Sequence, residues 1–537
     1  MTLETINSFL SLNNTKLAYI VFILVLIASS FITWKSFPSP LEYSNADEGT
    51  YYRQAKVIKD EGFSGFKNMG ALYIKELNNQ GRPTPLRIAN IYICSWLLNI
   101  NNSISIFSYY SLATNIFLCI ALFFFVKRFW QINVALITSS IAAFFPLTTG
   151  LATRALSDSS NYLFSSLSLF FFIYFLDTKD KKHYWLFISS LIVSILIKET
   201  NFMFIPFFVA VLILLRIFDQ KTNIKKEDIF ITALAPTFIV FSLYFIAFGG
   251  IEAATSIVEF TLKPSNVKST NYFKDYLAGP WYQYFLDYFL FSPIISILFF
   301  AFIGNYIFNE NKNITTNILL VFFIYFMICN VVLPKNIRYG VYLTFIYILF
   351  SSLMLVEIVY KYIAQQALQK IAIIGLTAII LATNIYSFYK FYIVEKIYDP
   401  IIFNLVKAEK LIPIPKAQTS NEPTKIDTVD LAKKDLLITI GKITADAMDA
   451  PTYGKYINLS LYYYQAHLYD ESIKMSKKAL ELNPKSAVAY NNLCSAYNDL
   501  QDWDKAIEAG KKALELDPNF QLAKANLEWA ESQKGKK

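Results

Sequence analysis

The chain has 537 residues, 55% of them hydrophobic, with 48 Phe and 36 Tyr, and this many apolar runs of membrane length exclude an ordinary soluble protein. Its net charge of +9 is spread over short loops between those runs, which marks membrane orientation and not a nucleic-acid surface. With only two His and four Cys at unpaired spacings, a His-rich metal site, a Ser-His-Asp triad and a disulfide framework are all disfavoured.

The first apolar run, Leu17 to Trp34, is long enough to span and is followed by no small-residue cleavage pattern, so it reads as a retained first helix. Directly after it comes the stretch 42–52, E-Y-S-N-A-D-E-G-T-Y-Y, with the adjacent carboxylates Asp47 and Glu48. Carboxylates at a bilayer boundary need a reason, because burying an unpaired charge there is costly. Two readings stand for them: a solvated turn after the first helix, or a catalytic base or metal ligand.

A spanning helix needs roughly 20 apolar residues. The runs near 17–35, 105–126, 132–150, 160–176, 184–197, 202–217, 228–248, 290–308, 315–333, 340–358 and 370–389 predict about eleven spans. Segment 86–100 is apolar but short, and reads either as an interfacial helix or as a twelfth span.

Short loops set the orientation. Lys127 and Arg128; Lys179, Lys181 and Lys182; Arg216, Lys221, Lys225 and Lys226; and Lys361 with Lys370 fall on alternate loops. The positive-inside rule places that set in the cytoplasm. Facing outward are the loop 36–104, the turns 149–159, 197–202 and 334–339, the aromatic-rich loop 250–289 and the C-terminal tail. The outer side therefore gathers Asp47, Glu48, Arg53, G-R-P-T-P-L-R at 81–87, T-R-A-L-S-D at 153–158, K-E-T at 198–200 and P-K-N-I-R-Y-G at 334–340. Taken singly, each cation reads as a snorkelling helix-end anchor. Together, acids and bases from four loops on one side are what a charged phosphate lipid would need: carboxylates for chemistry, cations for the phosphate.

Beyond residue 390 the composition changes. Residues 391–436 read as a polar, Pro-containing linker. Then Leu459, Tyr463, Ala479 and Pro484 recur 34 residues later as Leu493, Tyr497, Ala513 and Pro518. That period and pattern define tetratricopeptide repeats within 437–537, a stack of helix pairs whose role is either spacing or binding a protein partner. The fold class is thus all-α: a polytopic transmembrane bundle over 1–390, then a soluble helical repeat domain. His183 in a Lys-rich loop and His467 in a repeat helix read as surface residues.

Over roughly residues 15–390, in segment order, the chain resembles the GT-C superfamily of polytopic glycosyltransferases, in its polyprenyl-phosphate-mannose protein mannosyltransferase and aminoarabinose-transferase branch. Asp47-Glu48 followed by Tyr51-Tyr52 looks like that family's acidic pair in the first outer loop. G-R-P-T-P-L at 81–86, Arg154 with Asp158, Lys198 to Pro206, and Arg338-Tyr339 are similar to its later motifs. One departure is Arg82-Pro83-Thr84-Pro85, where the branch often carries His-Pro-Pro. Superfamily members joined to tetratricopeptide repeats also exist among O-mannosyltransferases.

The resemblance implies a sugar donor carried on a polyprenyl phosphate, a protein or glycolipid acceptor hydroxyl, and a site on the extracytoplasmic face of a membrane, a bacterial plasma membrane on the Lys-, Asn- and Ile-rich usage. It makes Asp47 the general base. Glu48 would orient the acceptor or bind a divalent cation, the only cofactor in question. Arg82, Arg154, Lys198, Arg338 and Tyr339 would hold the donor, with the cations offsetting charge on the leaving phosphate. Asp158 would pair with one of those cations or join a metal site, and it is the next candidate for the base after Asp47. Two alternatives are an O-antigen ligase or polymerase, which usually uses a large late outer loop, and a non-catalytic membrane-anchored repeat scaffold.

Overall fold

A computed structural model of the chain describes residues 15–38, 46–75, 83–218, 224–262, 282–308, 313–332, 337–394, 452–465 and 468–535. Arg82, the aromatic stretch 274–281, nearly all of the linker 391–436, the region 437–450 and His467 lie outside the described residues. Every described element is helical. Two compact units are present: Met1–Phe37 with Thr50–Ala417, and Pro38–Gly49 with Gln418–Lys537.

In the first unit each of the eleven predicted apolar runs forms helix. Among the described residues seven helices are long and apolar enough to cross a membrane: Lys16–Lys35, Ile106–Phe129, Asp158–Thr178, Glu199–Phe218, Lys226–Phe248, Ile337–Tyr362 and Gln366–Val394. The other four runs are the shorter helices Lys181–Ile197, Pro293–Phe308 and Ile314–Val332 and one broken pair. In that pair, Ile132–Ala143 and Pro146–Ala152 meet at a bend of 55°. Pro146 causes the break: it has no N–H to donate backwards, so it opens a new helix. Segment 86–100 yields only the ten-residue helix Ile88–Leu97. At 1.5 Å per residue it is about 15 Å long, half of what a hydrocarbon core of about 30 Å requires.

Burial ranks the spans. Ile337–Tyr362 is buried over 78% of its most apolar stretch and Asp158–Thr178 over 72%, whereas Lys226–Phe248 reaches only 22%. The first two form the centre and the third is peripheral. The centre is closed by aromatics: Phe170 stacks on Phe125 with centroids 4.1 Å apart, and Tyr347 stacks on Phe299 at 4.1 Å. The Asp158 helix is also serine-rich, and its hydroxyls turn back to the backbone; Ser160 donates to Ser157 O at 2.9 Å and Ser168 to Ser165 O at 2.7 Å. Small polar residues of this kind let helices approach closely without stranding a polar group in hydrocarbon. Gly150 shows the limit of such packing: a Cβ there would stand 2.1 Å from the ring of Tyr392.

In the second unit the tail forms Tyr453–Gln465, Tyr469–Leu482, Ala487–Asp499, Trp503–Leu516 and Gln521–Lys534. The paired small residues Ala479 and Ala513 are fully buried where helices cross, as the repeat requires. Ser486 caps its helix by accepting from Ala489 N at 3.0 Å. The last helix buries Ala523 and Ala530 against the stack.

Candidate functional site

Three charged residues sit at three helix ends. Asp158 opens Asp158–Thr178, Lys198 follows Lys181–Ile197, and Arg338 lies in the 3-10 turn Ile337–Leu343 ahead of Thr344–Tyr362. Each of these helices carries its lysine-rich loop or last turn at the far end, at Lys179, Lys181 and Lys361. The cluster therefore lies at the lysine-poor end of the bundle.

Its contacts are direct. Lys198 Nζ donates to Asp158 Oδ1 at 2.8 Å, with both side chains 4% exposed. Arg338 Nε stands 3.9 Å from the other carboxylate oxygen. The Lys198 ammonium also lies 5.1 Å from the centroid of the Tyr339 ring. A second group adjoins through the next residue: Glu199 accepts two parallel bonds from Arg87, Nε at 2.8 Å and Nη2 at 3.0 Å. Arg87 Nη1 also donates to Tyr51 Oη, and that hydroxyl is 2.7 Å from Ser157 Oγ. The chain is thus continuous from Arg87 through Tyr51 to Ser157, the neighbour of Asp158. Beneath it, Asn201 Nδ2 donates to Asn161 Oδ1 at 2.6 Å and to Ser194 O at 3.0 Å, fixing the turn that presents Lys198 and Glu199.

Burial pulls the Lys198 ammonium below the usual lysine range, and Asp158 offsets this only in part. Burial acts the same way on Arg87, but Glu199 and Tyr51 more than reverse it, and the guanidinium is held well above its ordinary value. Arg87, Lys198 and Arg338 thus meet the carboxylates Asp158 and Glu199 in one buried network. Removing water from such charges is costly unless they are paired, as they are here.

Sequence reasoning singled out Asp158, Lys198, Arg338 and Tyr339, and these four meet in the structure. Arg154 is 1% exposed in the turn before Asp158, whose backbone is held by Ser108 Oγ donating to Thr153 O at 2.9 Å. Asp47 and Glu48 occupy the first turn of the helix Ala46–Glu61, Asp47 partly exposed and Glu48 fully buried. The residues missed were Arg87, Glu199 and Tyr51. Each lies inside a quoted motif, and the signal was the adjacency of opposite charges at Lys198-Glu199. A divalent cation does not fit at Asp158, whose two oxygens already face Lys198 and Arg338. Among the described residues no group of three or more His, Cys, Asp or Glu is placed to hold a metal.

The Arg87–Glu199 pair makes a stability prediction. Arg87→Met and Glu199→Met should each lower the unfolding temperature of the detergent-purified chain. The double variant should lose less than the sum, with a coupling of about 1–3 kcal/mol. Strict additivity would mean that the pair contributes nothing.

Two tail segments match known family models: residues 487–520 and residues 456–486 each match a tetratricopeptide repeat. The C-terminal helix pairs are therefore tetratricopeptide repeats. No curated protein matches the sequence. Among solved structures, the chain is similar to the apo oligosaccharyltransferase of Archaeoglobus fulgidus, at 11% identity and a TM-score of 0.46, over 76% of this chain and 62% of that one. The same enzyme tethered to an acceptor peptide containing the NVT sequon gives 11% identity and a TM-score of 0.43, over 76% of this chain and 61% of that one. The chain thus spans about three fifths of that enzyme's length, and TM-scores below 0.5 transfer neither fold nor activity.

Proposed function

We propose that the chain is an integral membrane glycosyltransferase that moves a sugar from a polyprenyl-phosphate donor to an acceptor hydroxyl of a protein or glycolipid. The observation that carries this reading is the buried cluster of Arg87, Lys198 and Arg338 with Asp158 and Glu199 at one end of the bundle. Cations gathered in this way at the end of a membrane bundle are what a lipid phosphate would need.

In this mechanism Asp47 takes the proton from the acceptor hydroxyl. The freed oxygen attacks the anomeric carbon, and the bond from that carbon to the phosphate oxygen breaks with inversion. The phosphate leaves as an anion and needs no second acid. Lys198 and Arg338 neutralise the charge that develops on it. Asp158 positions these two cations, and Glu199 does the same for Arg87. Glu48 orients the acceptor, and Arg82 and Arg154 add to donor binding. The site faces the extracytoplasmic side of a bacterial plasma membrane, with the repeats on that side engaging a protein partner.

The test is transfer of radiolabelled sugar from a panel of polyprenyl-phosphate donors in membranes that carry or lack the chain. Chain-dependent transfer from one of them is expected. No transfer from any donor, at confirmed expression, would favour a membrane-anchored repeat scaffold.

A further inference from the structure

At the other end of the first unit is a cavity of about 650 Å³ between the helices Thr15–Lys35, Ile132–Ala143 and Gln366–Phe388. It is graded along its length. Gln131, Tyr360, Gln366, Gln369 and Lys370 line one end, where the Gln369 amide donates to Ile363 O at 2.7 Å. Val25, Leu136, Ile374 and Leu381 line the deeper part. Lys370 is the only charged residue among the described lining, and no carboxylate opposes it there.

The dimensions fit one molecule. From Lys370 to Leu381 the helix advances eleven residues, about 16 Å at 1.5 Å per residue. That is close to half of a hydrocarbon core of about 30 Å, the depth of one leaflet. Lys127, which donates to Tyr19 at 2.6 Å, and Lys361 lie outside the lining, in the last turns of their helices at the same lysine-rich end.

We propose that this cavity binds a single lipid with an anionic phosphate headgroup, drawn from the leaflet at the lysine-rich end. The phosphate sits on Lys370 among the glutamines, and one chain runs down to Leu381. A phospholipid and a polyprenyl phosphate share this chemistry. The site is remote from the Asp158 cluster and does not depend on the proposed transfer reaction.

The experiment uses the full chain in nanodiscs containing a trace of phosphatidylglycerol with a diazirine in its acyl chain. Photolabelling should concentrate on residues 366–381 and the facing part of 132–143. Ala378→Trp, which fills the cavity, should remove that focus. Lys370→Gln should weaken it about fivefold, the roughly 1 kcal/mol that one lysine contributes toward an anionic lipid. The matching change Lys361→Gln, at a residue outside the lining, should leave it intact. Competition distinguishes the sources: displacement by unlabelled phosphatidylglycerol marks a phospholipid site, and preferential displacement by a polyprenyl phosphate marks a prenyl one. Labelling spread evenly over lipid-exposed helices and unmoved by Lys370→Gln would overturn the proposal. That readout survives if Ala378→Trp fails to fold, and it is independent of whether sugar transfer is found.

Discussion

Asp158→Ala should be the most destabilising single change in the membrane unit, costing about 3–5 kcal/mol. The wild-type carboxylate is 4% exposed and compensates Lys198 at 2.8 Å and Arg338 at 3.9 Å. Its removal leaves both cations buried. Lys198 has an escape, because it can release its proton, and a lysine of ordinary pKa near 10.4 does so at pH 7 for roughly 4.6 kcal/mol. Burial has already pulled Lys198 below that range, so the true ceiling is lower. Arg338 has no such escape, since a guanidinium stays charged in proteins. The variant should therefore unfold earlier in a thermal melt followed by tryptophan fluorescence. Asp158→Ala combined with Lys198→Met should recover much of the loss, because no surplus buried ammonium remains. A single variant that melts with the wild type would mean that water already reaches the cluster and compensates it.

The helices were readable because each is written as a long apolar run, and a run of that kind has few alternatives in a bilayer. The break at Pro146 was written into the sequence as well, but the run 132–150 reads as one span unless the missing N–H of Pro146 is given more weight than the surrounding hydropathy. The repeats were readable for a different reason: a period of 34 residues needs no knowledge of contacts. Lys198 and Arg338 could be singled out because charges at the ends of apolar runs are few. Their partners could not be assigned in the same way. Arg87 and Glu199 are 112 residues apart, and Tyr51 and Ser157 are 106 apart. Helix packing decides such pairings, and loop composition carries no trace of it. The choice of Arg82 within G-R-P-T-P-L-R followed the motif and lies outside the described residues, while Arg87 in the same motif pairs with Glu199.

The largest effect on activity is expected at Asp47. If Asp47 is the base, Asp47→Ala should lower sugar transfer by about 10²–10⁴-fold, the range over which a positioned general base contributes. Asp47→Asn separates two causes of that loss. It keeps the size of the side chain and its capacity to accept a hydrogen bond, but it cannot take the proton, so it should be about as inactive as the alanine variant. Asp47 is partly exposed in the first turn of its helix, where a negative charge is favourable by about 0.3–1 kcal/mol. Thermal melts of both variants, run beside Asp158→Ala, separate a loss of transfer from a loss of folding. The fully buried Glu48 beside it supplies the control: Glu48→Gln should raise the acceptor KM more than it lowers kcat if it orients the acceptor. Transfer by Asp47→Asn at the wild-type rate would remove Asp47 as the base while leaving the enzyme in place. The proton would then have to go to another carboxylate, and Asp158, held between Lys198 and Arg338, is a poor acceptor for it. The result would direct the search to Glu48.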